Sequence, residues 1–136
     1  MKKLLSSLLL LAAISPILSA DDLADRGKYL VENVGMCADC HTPRDQKGQL
    51  IQEKWMAGNV LAFKPTVPMP VWAPTAPSLR GLPNYTDEQA IKMFTQGITR
   101  LGTPPRPPMP EFRFSEEDAK AVMAYFRALK PLEETK

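Results

Sequence analysis

The sequence predicts an all-α domain, with about three main helices joined by long proline-rich connections. Three observations support this. Apolar residues recur at helical spacing in three separate stretches. No set of alternating apolar and polar runs suggests a sheet, and no segment repeats. Fourteen prolines in 136 residues, clustered between the helical stretches, interrupt regular structure elsewhere.

The chain opens with a targeting pattern. Lys2 and Lys3 precede a mainly apolar run over residues 4–18, and Ser19-Ala20 offers a small-residue cut before Asp21-Asp22. This predicts a signal peptide over residues 1–20, cleaved after Ala20, and a single domain over residues 21–136. The run is short for a membrane span, and Pro16 near its end suits processing. No cysteine lies near the cut, which argues against lipid attachment. The chain carries 17 basic and 15 acidic residues, a net charge of +2. Removing Lys2 and Lys3 leaves 15 against 15, so the excess belongs to the leader and gives no support for nucleic-acid binding.

Residues 21–34 form the first predicted helix. Leu23, Gly27, Leu30, Val31 and Val34 make one stripe at helical period. Asp21, Asp22 and Asp25 lie in or near the first turn, where the helix dipole favours negative charge. Gly27 sits on the stripe although glycine in a helix interior costs about 1 kcal/mol relative to alanine. Close approach of another helix is the expected reason.

Chemistry concentrates in Cys37-Ala38-Asp39-Cys40-His41, which uses both cysteines and the single histidine. Cys-x-x-Cys-His is the attachment site of a c-type haem. Each thiol can add across one porphyrin vinyl group, and the adjacent imidazole can donate a ring nitrogen to the iron. A thioredoxin-like pair would want a strand before the motif and strand–helix alternation after it. A structural zinc site would want four ligands where three exist. A Cys37–Cys40 disulfide would close too small a loop to stabilise much.

Residues 42–85 carry seven prolines and no sustained periodicity. A structureless stretch of this length counts against a compact domain unless it wraps a cofactor. Trp55, Phe63, Trp72 and several leucines are available to cover a haem, and Asp45-Gln46-Lys47-Gly48 reads as a turn. The second helix spans residues 86–98. Thr86 with Gln89 fits a capping box, Ala90, Ile91, Phe94 and Ile98 form the apolar face, and Gly97 helps end it. Residues 101–112, with five prolines, form a stiff connector. The third helix spans residues 115–129, with Ser115 as N-cap, Ala119, Val122, Met123, Phe126 and Leu129 as its stripe, and Pro131 as its stop. Residues 132–136 read as a frayed tail.

A six-coordinate iron needs a ligand opposite His41, and no second histidine exists. A methionine fits, because histidine–methionine ligation raises the potential of an electron carrier. Met36 adjoins the motif on the wrong side, Met93 and Met123 lie within helices, and Met56 has nothing around it to fix its backbone. Met109, within Pro107-Pro108-Met109-Pro110, is held by prolines that lower the entropy cost of fixing a thioether. Met69, within Pro68-Met69-Pro70, is its rival.

The chain resembles the class I c-type cytochromes, close to the single-haem modules of bacterial periplasmic dehydrogenases. The resemblance rests on Gly27-Lys28-Tyr29-Leu30, the haem motif followed by Thr42-Pro43-Arg44, the run Ala76-Pro77-Ser78-Leu79-Arg80-Gly81, Pro108-Met109-Pro110, and Ala124-Tyr125-Phe126. These cover nearly the whole predicted domain in family order. The sequence departs from the commoner pattern at Ala76, Ser78 and Tyr85, where glycine, asparagine and tryptophan are frequent. The resemblance implies the cytochrome c fold wrapped around one haem c attached through Cys37 and Cys40. It also implies His41 and Met109 as iron ligands, the Pro77 carbonyl as hydrogen-bond acceptor for His41, and a meeting of Gly27 and Tyr29 with the last helix near Tyr125.

The expected function is a periplasmic one-electron carrier. No catalytic triad, paired-carboxylate site or phosphate loop marks it as an enzyme. Its expected partners are redox proteins, with a periplasmic dehydrogenase as donor and an oxidase or another cytochrome as acceptor. Nucleic acid is not expected, and membrane association is expected only if the leader is retained. Two alternatives share the haem: a small subunit of a dehydrogenase complex, and a sensor with an open iron site. Arg44, Arg80, Arg100 and Tyr85 are candidate partners for the haem carboxylates.

Overall fold

The computed structural model describes residues 19–132. Residues 1–18 of the expected leader, and the tail from residue 133, lie outside them. The order is α1 (Ala20–Tyr29) with a continuing turn (Leu30–Val34), α2 (Ala38–His41), β1 (Asn59–Val60), β2 (Thr75–Ala76), α3 (Asp87–Gln96) and α4 (Glu116–Ala128). The domain is mainly helical, as expected. No helix among the described residues is long and apolar enough to cross a membrane.

α1 starts where the side chains of Ser19 and Asp22 cap one another's backbone N–H. A cut after Ala20 would remove this cap, at a cost of about 1 kcal/mol. Past Tyr29 the helix widens, and the Gly35 N–H bonds the Leu30 carbonyl five residues back at 2.7 Å. Leu30 and Val31 stay buried, but the wider turn shifts the helical phase, and Val34 on the expected stripe is 50% exposed.

α3 carries the expected reciprocal box between Thr86 and Gln89 and ends at Gly97, whose φ of 65° gives the left-handed cap. The Ser115 hydroxyl caps α4 by accepting from the Asp118 N–H at 3.1 Å. Buried Ala119, Ala121, Val122, Tyr125 and Phe126 form the inward face of α4.

α1 crosses α4 at Gly27. A Cβ at this position would overlap the Ala121 carbonyl oxygen and stand 2.5 Å from its carbon and 2.9 Å from Tyr125 Cβ. The glycine therefore permits a backbone-to-backbone approach, the reason expected for it. Arg26 Nε to Asp118 Oδ1 at 3.0 Å ties the same two helices. The Tyr125 hydroxyl donates to Glu32 at 2.8 Å and accepts from Trp55 Nε1 at 2.9 Å. Tyr29 is 52% exposed, with the Arg26 guanidinium over its ring.

Residues 42–85 are tied together mostly by their main chain. Gly48 closes the expected turn, with its N–H on the Asp45 carbonyl at 3.0 Å. β1 and β2 pair antiparallel, Asn59 opposite Ala76 and Val60 opposite Thr75, a ladder too short to leave a sequence pattern. Met56 corrects one expectation. Its backbone is fixed, because its N–H donates to Thr42 Oγ1 at 3.0 Å and its carbonyl accepts from the Leu79 N–H at 3.0 Å.

Candidate haem site

α2 is a single turn that places Cys37, Cys40 and His41 along one cleft. Met36 precedes it at a φ of 46°, which turns the chain from α1 into the motif. The cleft holds about 1090 Å³ of empty space, counting its open mouth. Its lining is mostly apolar. Leu61, Leu79 and Leu82 come from the long connection, Ala90, Met93 and Phe94 from α3, and Pro108, Met109 and Phe112 from the proline connector.

The histidine is oriented. Its Nδ1 lies 2.7 Å from the Pro77 carbonyl oxygen. A carbonyl can only accept, so Nδ1 carries the proton and Nε2 of the neutral ring keeps its lone pair. Burial pushes the His41 ring below its ordinary value, and the Pro77 carbonyl opposes that shift. The imidazole is thus held in the form that binds a metal.

Both cysteines are free thiols. Burial pushes Cys37 up to about 11 and raises Cys40 as well. A dithiol active in redox exchange needs the opposite shift, toward thiolate at neutral pH. Two thiols, an imidazole nitrogen and a thioether around an apolar cleft match the donor set of a covalently held haem, so the residues fit the group.

The methionines separate by position. Met109, Met93 and Met36 line the cleft with His41. Met56 is fully buried and Met69 is 38% exposed, and neither lines it. The aromatic residues expected to cover a haem are placed differently. Trp55 bonds Tyr125, while Phe63 and Trp72 meet edge to face, with ring centroids 5.8 Å apart, beside a separate shallow hollow. Among the residues considered for the haem carboxylates, Tyr85 lines the cleft. Arg44 instead pairs with Asp39 at 2.7 Å, and Arg80 donates to the carbonyls of Trp55 and Lys130. Arg106, missed in the sequence, lines the cleft. Its place three residues before Met109 in the same connector was the available signal.

Helices closing around a cleft with two thiols and an oriented imidazole define a haem protein of the electron-carrying kind. The chain belongs to the cytochrome c family, whose model, described as "Cytochrome c", matches residues 24–130. Members of this family bind haem c and are in general electron carriers rather than enzymes. A stretch of 34 residues is 50% identical to a "Diheme cytochrome c-type" protein of Cereibacter sphaeroides. That stretch is 25% of this chain and 12% of the relative, so the match spans a small part of the longer protein.

Proposed function

We propose that the chain is an exported, periplasmic one-electron carrier. It holds one haem c through thioethers from Cys37 and Cys40, with His41 and Met109 as axial ligands. When bound, the haem supplies a ferrous–ferric couple. The chain's own residues do the rest. Cys37 and Cys40 fix the group at one edge, the Pro77 carbonyl holds the His41 tautomer, and the apolar lining excludes water. The observation that favours Met109 over Met69 is that Met109 shares the cleft with His41 while Met69 lies outside it.

The donor is a periplasmic dehydrogenase and the acceptor an oxidase or another cytochrome, met in small and short-lived contacts. The near-balanced charge favours docking by local patches over long-range steering. The short stretch shared with a diheme cytochrome c-type protein favours a second reading, in which the domain is one haem-bearing part of a dehydrogenase complex. Stable co-purification with a catalytic partner at physiological salt supports the second reading. A free monomer from native periplasm supports the first.

The ligation is tested by absorption spectra of holo-protein matured in a periplasm, with wild type beside Met109→Leu and Met69→Leu. The expected result is loss of the weak far-red methionine-to-ferric-iron band in Met109→Leu alone, with new carbon monoxide binding by the ferrous form. Loss in Met69→Leu alone overturns the assignment of Met109. Carbon monoxide binding by wild type overturns the six-coordinate reading.

A further inference from the structure

We infer that Gly58 is a positioning residue for His41, setting the hydrogen bond from its ring to Pro77. The inference rests on the reading of His41 as an iron ligand. Gly58 lies between the two halves of that hydrogen bond. Its N–H donates to the His41 carbonyl at 2.8 Å. Its α-carbon faces the backbone that carries Pro77. A Cβ there would stand 2.8 Å from Ser78 N, 2.9 Å from the Ala76 carbonyl oxygen and 3.0 Å from Pro77 C. All three are main-chain atoms, so no side-chain rotation can make room. The next residue, Asn59, pairs with Ala76 and locks the two segments in register. Gly58 thus spaces the His41 backbone from the Pro77 carbonyl, and His41 Nδ1 reaches that carbonyl at 2.7 Å.

A methyl group at residue 58 pushes the Pro77 segment outward. The Nδ1–H···O bond is at the short end of its range, so displacement weakens it. A weaker bond makes the imidazole less basic and stabilises ferric iron less, so the reduction potential rises. Backbone strain alone has no such effect on the iron, and the chain supplies its own control. Gly48 has a φ of +81°, close to the +90° of Gly58, but a Cβ there meets nothing within 4 Å.

Thr42→Val loosens the same segment with no added bulk. The Thr42 hydroxyl accepts from Met56 N at 3.0 Å, and the Met56 carbonyl in turn accepts from Leu79 N at 3.0 Å and Ser78 Oγ at 3.3 Å.

The experiment compares wild type, Gly58→Ala, Gly48→Ala and Thr42→Val as holo-proteins, by redox titration and by the NMR position of the His41 Nδ1 proton. The expected result is an upward shift in potential and an upfield shift of that proton in Gly58→Ala, a smaller shift of the same sign in Thr42→Val, and wild-type values in Gly48→Ala. If Gly58→Ala fails to take up haem, Thr42→Val against Gly48→Ala decides the matter by the same two readouts. Wild-type potential and proton position in every assembled variant at residues 58 and 42 overturn the inference. The wild-type histidine–methionine spectrum is read first. A spectrum without histidine ligation removes the reading of His41 and this inference with it, a spectrum with histidine but no methionine removes only the Met109 assignment, and histidine ligation with unmoved variants removes this inference alone.

Discussion

Gly27→Ala separates two effects of opposite sign. On an isolated helix the substitution would stabilise by about 1 kcal/mol. At the α1–α4 crossing, the new Cβ meets the carbonyl group of Ala121 and Tyr125 Cβ, and none of these atoms can rotate aside. The helices must separate. Leu30, Val31, Val122 and Phe126 in their buried faces are between 0% and 4% exposed. Full burial of one such side chain is worth about 1.5–3 kcal/mol. A gap of about 0.5–1 Å forfeits roughly a quarter to a half of the dispersion well at each contact. Losing a quarter across these four side chains costs about 1.5–3 kcal/mol, within the usual range for overpacking. After the helix-propensity gain the net loss is about 0.5–2 kcal/mol. Urea unfolding of the holo-protein, followed by far-ultraviolet circular dichroism, should show a lower midpoint at unchanged slope. Adding Ala121→Gly should not restore it, because the obstruction is main chain. A midpoint equal to or above wild type would refute the close-approach account, since propensity would then outweigh the crossing.

Arg127→Met removes a guanidinium that donates to the carbonyls of Gly81, Leu82 and Tyr85 and pairs with Asp87 at 2.9 Å. The side chain is 34% exposed, so the expected loss is about 1–2 kcal/mol, read by chemical denaturation. Arg127→Lys should recover only part, because an ammonium cannot span that fork. Burial, opposed by the Trp55 hydrogen bond and aided by Glu32, pushes Tyr125 up to about 12. The unfolded chain releases this proton near pH 10 and the folded chain keeps it, so stability should fall as pH rises from about 10 to about 12. Alkaline ultraviolet titration should show a late tyrosinate step that Tyr125→Phe abolishes, and an unchanged titration in that variant refutes the assignment.

The helices were legible in the sequence because their signals are local. Thr86 with Gln89, and Ser115 before three acids, mark starts that the structure reproduces within a residue. Gly27 was legible because a costly residue on an apolar stripe calls for a packing reason. Val34 was misjudged because one residue of extra winding after Leu30 cannot be seen in a stripe assumed to keep its period. The site was legible where chemistry is rare, in two cysteines and one histidine five residues long. It was illegible where geometry is long-range. Trp55 is claimed by Tyr125, 70 residues away, and nothing beside Trp55 announces that partner. Met56 is fixed by a hydroxyl 14 residues back and by carbonyl contacts more than 20 residues ahead, so its setting could not be judged from its neighbours.

The α1–α4 crossing also bears on the reactivity of Cys37. Tyr125 meets Glu32 across 93 residues and α1 packs on α4, so the main packing partner of α1 is the last helix of the domain. Burial in the closed domain pushes the Cys37 thiol up to about 11, so less of it is thiolate there at neutral pH than on open chain. On the proposed attachment through Cys37 and Cys40, the open chain therefore offers more of the reacting thiolate than the closed domain does. The same burial that shapes the cleft thus shields the Cys37 thiol once the domain has closed.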